Sequence, residues 1–250
     1  MVVETVLFDL DDTLFDHRHA RLAGLQAIRQ AQPELRRFPV ARLDRSLERL
    51  LTDIHLRLVL TGKVTHDEGR WLRMVRFLEE YQIRLPRQRI QALIDLRVAT
   101  YERHLRAVPG AAALLRHLHE SGRVIGVVTN NLRSEQEEKL RVTGLEEYVD
   151  HLVCSEQVGV TKPNPRIFRV ALQRTGGTPR TAVMVGDSWA VDVVGAIRLG
   201  IPSVWFHRDS RPRPRSPVAR ELRSFRPLAH AARVILTHRP PAARPRPKRR

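Results

Sequence analysis

Between about residue 108 and residue 207 the chain alternates short apolar runs with amphipathic stretches, and this alternation constrains the fold more than any other feature. Residues 124–128, 151–154, 182–185 and 203–206 read as buried strands. Between them lie helical patterns: Leu114, Leu115 and Leu118 on one face, a stretch over 134–142 that stops at Gly144, then Ile167, Phe168, Ala171 and Leu172, then about 189–200. Strands joined by helices run parallel, and a parallel sheet is covered on both faces. The pattern therefore predicts an α/β fold with a doubly wound parallel sheet in which 203–206 is the last strand. One further apolar run, Val6 to Phe8, stands far upstream and belongs to the same sheet.

Four of these segments end in, or are followed by, polar side chains with chemical potential. The first runs straight into Asp9, Asp11 and Asp12 with a hydroxyl at Thr13; another ends at Thr129-Asn130-Asn131; another at Gly186-Asp187-Ser188 with Asp192 close behind; and Lys162 stands in Thr161-Lys162-Pro163-Asn164-Pro165. In open α/β sheets ligands bind at the carboxyl ends of the strands. Carboxylates crowded there repel one another unless a cation compensates, and oxygen ligands at one locus suit Mg²⁺. Acids, a hydroxyl/amide pair and a lysine at successive strand ends make a site for a metal and a phosphate. Singly, each has a plainer account: Thr129 as the end of a strand, Lys162 as a surface lysine, Ser188 as a helix N-cap, Asp12 as a turn residue. Lys162 is, however, one of only four lysines in a chain that otherwise uses arginine.

The run Asp9-x-Asp11-x-Thr13, with the three later patches in the expected order, resembles the motifs of the haloacid dehalogenase-like (HAD) superfamily of hydrolases over roughly residues 4–207. Asp12 stands where many members have glycine. The resemblance implies a Rossmann-like core and assigns roles by position. Asp9 is expected to be the nucleophile that forms an aspartyl-phosphate and also ligates Mg²⁺. Asp11 is expected to protonate the leaving alcohol and later deprotonate water, its main-chain carbonyl touching the metal. Thr129 and the backbone amide of Asn130 would hold the phosphoryl oxygens, Lys162 would tie down Asp9 and the phosphate, and Asp187 with Asp192 would complete the metal sphere. Members that cleave carbon–halogen bonds lack the second aspartate, so Asp11 favours phosphoryl transfer. The expected activity is hydrolysis of small-molecule phosphomonoesters, with a phosphomutase or a 5'-nucleotidase as alternatives within the family.

From Asp16 to about residue 107 the periodicity is helical, with no convincing strand. Leu22, Leu25 and Ile28 suit a first helix, and Leu43, Leu47, Leu50, Leu51, Ile54 and Leu58 form one long stripe broken at Gly62. Thr65-x-x-Glu68 has the form of a capping box before Trp71, Leu72, Val75 and Leu78, and Pro86 can open a fourth helix. Residues 16–107 are thus expected to be an inserted helical-bundle cap, and 1–15 with 108–236 the core. By the resemblance such a cap closes over the site and chooses the substrate. Asp16, His17, Arg18 and Arg21 at its start are candidate substrate contacts, although solvated charge accounts for them more simply. The only lysine in the insertion, Lys63, beside Gly62, is a poor place for the Schiff base that phosphonate cleavage requires.

The net charge of +17 suggests nucleic acid until its distribution is considered. From Arg208 onward there are 14 basic and 2 acidic residues and 8 of the 16 prolines, so +12 of the excess belongs to the end of the chain. A Pro/Arg-rich tail over 237–250 is expected to be disordered. Binding of nucleic acid or an acidic partner through it is the rival function from another class, disfavoured because a pure binder has no need for Asp9, Asp11, Lys162 and Asp187 together. No apolar stretch reaches the length of a membrane span and no signal-peptide pattern opens the chain, which points to a cytoplasmic protein acting on a small phosphorylated metabolite. The single cysteine, Cys154, excludes an internal disulfide and reads as a buried strand residue.

Overall fold

The structure, a computed structural model, describes residues 2–208 and 219–237. The tail expected over 237–250 lies outside the described residues except for Thr237. The chain divides into two compact units, Met1–Phe15 with Ala107–Arg250, and Asp16–Arg106. The second break falls one residue before the boundary expected from sequence.

The first unit opens with β1 (Thr5–Phe8). The insertion supplies α1 (His17–Ala31), α2 (Val40–Leu51), α3 (His66–Glu80) and α4 (Arg87–Arg103). The chain then runs through α5 (Ala111–Glu120), β2 (Val124–Thr129), α6 (Arg133–Val142), β3 (His151–Cys154), α7 (Ser155–Val158), α8 (Pro165–Thr175) and β4 (Ala182–Gly186). It ends with α9 (Val194–Ile197), β5 (Ser203–Phe206), β6 (Ala219–Leu222) and α10 (Leu228–Leu236).

The six strands form one parallel sheet in the order β3-β2-β1-β4-β5-β6. All four residues of β1 are buried, as a central strand covered on both faces requires. Beneath α8, Ile167, Phe168 and Ala171 pack on Leu7, Val128 and Met184. The sheet has one strand more than the sequence pattern announces: Ser203–Phe206 is not the last. β6 pairs in parallel with β5 and buries only its end residues, Ala219 and Leu222, so its four residues lack the apolar run that marks the other strands. α10 then buries Ala231, Ala232 and Ile235. The helix expected over about 189–200 is a π-helical turn, Trp189–Val193, followed by the short α9.

The insertion has a core of its own, built on Leu25, Ile28, Leu43, Leu47, Phe77 and Leu93. Its long stripe is not one regular helix. α2 ends at Leu51 and continues as a π-helical turn, Thr52–Val59. The capping box is present in both directions: the Glu68 amide donates to Thr65 Oγ1 and the Thr65 amide to Glu68 Oε2. α3 buries Met74, Phe77 and Leu78, while Trp71 and Val75 pack only partly against the core. Arg106 forks onto Asp16 through Nε at 2.9 Å and Nη2 at 2.8 Å, joining the two ends of the insertion.

Candidate active site

Asp9 follows β1, Thr129 ends β2 and Asp187 follows β4; because β2, β1 and β4 are neighbours in register, these residues stand side by side at one sheet edge. The order of strands reverses direction at β1, the position where open α/β sheets leave room for a ligand.

Lys162 is the organising cation. Its Nζ lies 2.6 Å from Asp9 Oδ1 and 2.7 Å from Asp192 Oδ1, and donates to the carbonyl of Val128 at 2.7 Å. An ammonium has three protons, so these three partners fix its orientation. Lys162 is only 4% exposed, and an unpaired charge there would be prohibitive. The plain reading of Lys162 as a surface lysine is therefore excluded. The Asn130 side chain holds the lysine's peptide group, accepting from the Lys162 amide at 2.6 Å and donating to its carbonyl at 3.0 Å. Thr13 donates to the second oxygen of Asp9 at 3.1 Å. Asp192 accepts from the Ser188 amide at 2.9 Å; the Ser188 side chain does not cap the following turn. Glycine at 186 is required by this arrangement, since a Cβ there would lie 2.5 Å from the Asp192 carboxylate.

Ligand oxygens of Asp9, Asp187 and Asp192 all come within 4.8 Å of one another. Burial pushes the Asp9 carboxyl up to about 7; Lys162 opposes that shift, and Asp192 and Asp11 add to it. Asp187 is held well above the usual carboxylate range by burial, then by Asp9, Asp192 and Asp12. Burial works against the charge of Lys162 too, but Asp192 and Asp9 outweigh it and hold its pKa above the usual lysine value. Three carboxylates against one ammonium carry two excess negative charges, which protons relieve in part. One divalent cation would relieve them fully, and an all-oxygen donor set fits a hard ion such as Mg²⁺.

Asp11 has partners of its own, which sequence reasoning missed. Lys139 Nζ lies 2.7 Å from its Oδ1, and Gln136 Nε2 donates to its Oδ2 at 3.1 Å and to Thr129 Oγ1 at 2.6 Å. Thr129 thus accepts from Gln136 and keeps its own proton for another acceptor. The scarcity of lysine that singles out Lys162 singles out Lys139 equally.

Of the candidates at the start of the insertion, Asp16 and Arg21 are buried ion-pair partners and not solvated charge. Arg21 is 3% exposed and paired with Asp44 at 2.6 Å and Glu48 at 2.8 Å, and Asp16 is buried against Arg106. His17 Nδ1 lies 2.9 Å from Tyr101 Oη, and Arg18 is exposed. Asp12 adopts φ 64°, as a turn residue does, and accepts from Arg208 at 3.0 Å. Lys63 is exposed in the turn after Thr52–Val59.

Residues 3–200 match the haloacid dehalogenase-like hydrolase family. The chain belongs to that family. The hydrolase is 32% identical over 211 residues to glyceraldehyde 3-phosphate phosphatase of Methanopyrus kandleri, covering 83% of this chain and 85% of that one. It is 41% identical over 108 residues to pyrimidine 5'-nucleotidase YjjG of Escherichia coli, there covering 43% of this chain and 48% of the relative. Among solved structures, a HAD phosphatase from Thermococcus onnurineus superposes with a TM-score of 0.58 at 27% identity, covering 91% of this chain and 96% of that one. No helix among the described residues is long and apolar enough to cross a membrane.

Proposed function

We propose that this hydrolase cleaves small-molecule phosphomonoesters with Asp9 as nucleophile, Asp11 as proton carrier and Mg²⁺ as cofactor. The observation that carries the proposal is the cluster of Asp9, Asp187 and Asp192 set against Lys162, with Asp11 held separately beside Thr129. Kinship with phosphatases along most of the chain supports the reaction class.

Asp9 attacks phosphorus, the bond to the leaving oxygen breaks, and Asp11 gives that oxygen its proton. Water then attacks the aspartyl-phosphate; Asp11 takes the water's proton, the bond between phosphorus and Asp9 breaks, and phosphate leaves. Lys162 holds Asp9 in place throughout, and Thr129 with the Asn130 amide holds the phosphoryl oxygens. The three clustered carboxylates and the Asp11 carbonyl would hold Mg²⁺, which supplies charge stabilisation for the transferring group.

Phosphate release from a metabolite panel tests the proposal. The panel should include glyceraldehyde 3-phosphate and pyrimidine nucleoside monophosphates, because the phosphatase and the nucleotidase named above are relatives of this chain. Asp9→Asn should abolish release, and chelation should do so reversibly, Mg²⁺ restoring it. Undiminished turnover by Asp9→Asn would refute the mechanism. The core residues all address a group that every monoester shares, so discrimination among esters falls to residues outside this set.

A further inference from the structure

α6 is the most polar helix of the sheet domain, and its buried side chains are unusual. Only Gln136, Lys139 and Leu140 are buried, so two of its three inward residues are an amide and an ammonium. Burying such groups is costly unless something specific receives them. Their spacing, i and i+3, puts them on one face of the helix, and both reach the same carboxylate across 125 and 128 positions of sequence. Lys139 is further seated over the Phe15 ring, 5.2 Å from its centroid.

We propose that Gln136 and Lys139 are positioning residues for Asp11, setting its carboxyl against the Thr129 hydroxyl so that it meets the leaving oxygen of a bound ester. The inference rests on the phosphatase reading and on Asp11 as proton carrier. Three contacts carry it. Both oxygens of Asp11 accept from α6, which removes the rotational freedom of a side chain in a turn. Gln136 Nε2 donates to Asp11 and Thr129 at once, so the acid and the residue that holds phosphate are set by a single amide.

The test separates positioning from mere stability by the leaving group. An alkyl phosphate departs as an alkoxide that needs a proton, whereas p-nitrophenyl phosphate departs as a stable phenolate that does not. kcat/KM should be measured with Mg²⁺ for p-nitrophenyl phosphate and for the alkyl monoester that the wild-type enzyme turns over fastest. General acid catalysis is worth on the order of 10²–10⁴-fold. Lys139→Met and Gln136→Met should each lower the ratio of alkyl to aryl kcat/KM by about tenfold or more, and Lys139→Arg should recover part of that ratio. Equal losses for both esters, or a rise in the alkyl rate, would overturn the proposal; should Lys139→Met fail to fold, Gln136→Met decides alone. Asp11→Asn is the control. If it lowers the ratio while the α6 variants do not, positioning fails and the phosphatase reading stands; if Asp11→Asn does not lower it, the proton-carrier role fails and the inference with it.

Discussion

Replacing Lys162 with methionine keeps the length of the side chain and deletes the charge that opposes Asp9 and Asp192. Breaking a buried ion pair by removing one partner costs on the order of 3–5 kcal/mol. For a chain of this size about 2–4 °C of melting temperature corresponds to each kcal/mol, so Lys162→Met should melt roughly 6–20 °C below the wild type. The loss should depend on pH, and its sign follows from Asp9. Its pKa in the folded chain, about 7, lies above its ordinary 3.8. Between those values the folded chain holds a proton that the unfolded chain has released, so the stability owed to this group falls as pH rises through the window. Without Lys162 the carboxyl has still more reason to stay protonated, and at pH 5 it needs no counter-ion. Thermal unfolding followed by circular dichroism in EDTA should therefore show a larger loss at pH 8 than at pH 5. An equal loss at both, or a total loss under about 1 kcal/mol, would refute the view that Lys162 is held here by charge.

Arg21→Ala should destabilise the insertion by on the order of 3 kcal/mol, since it strands Asp44 at 13% side-chain exposure; urea unfolding measures this, and a change within about 0.5 kcal/mol would return Arg21 to the class of ordinary surface charge. Cys154, a buried thiol that burial pushes up to about 12, should resist a thiol-specific disulfide reagent at pH 8 in the native protein and react fully once unfolded.

Asp9, Thr129 and Asp187 were legible because each stands where an apolar run gives way to a polar side chain, a transition local in the sequence, and Lys162, in a loop before a helix, because lysine is scarce in this chain. Asp192 was legible through its nearness to Asp187. The apolar alternation likewise located five strands, each carrying a run of buried side chains. β6 escaped because a four-residue strand with Arg220 and Glu221 at its centre has no such run, and its identity as a strand comes from pairing with β5. The π-helical turn over Thr52–Val59 escaped for a related reason: apolar residues at spacings of three and four fit both a regular helix and one that gains an extra residue in a turn.

Charged residues divide along the same line. A composition argument treats arginine and aspartate as solvated, which is right on average and wrong for Arg21, Asp16 and Lys139, whose partners lie 23, 90 and 128 positions away. What distinguishes such a residue is its company on the helix. In α6, Glu137, Glu138 and Arg141 line the exposed face, and Gln136, Lys139 and Leu140 occupy the stripe that faces inward. A polar side chain on the only stripe that can be buried must find a partner or pay its desolvation alone. That condition can be read from spacing; the partner's identity comes only from the sheet, which places Asp11 and Thr129 on neighbouring strand ends beneath that stripe.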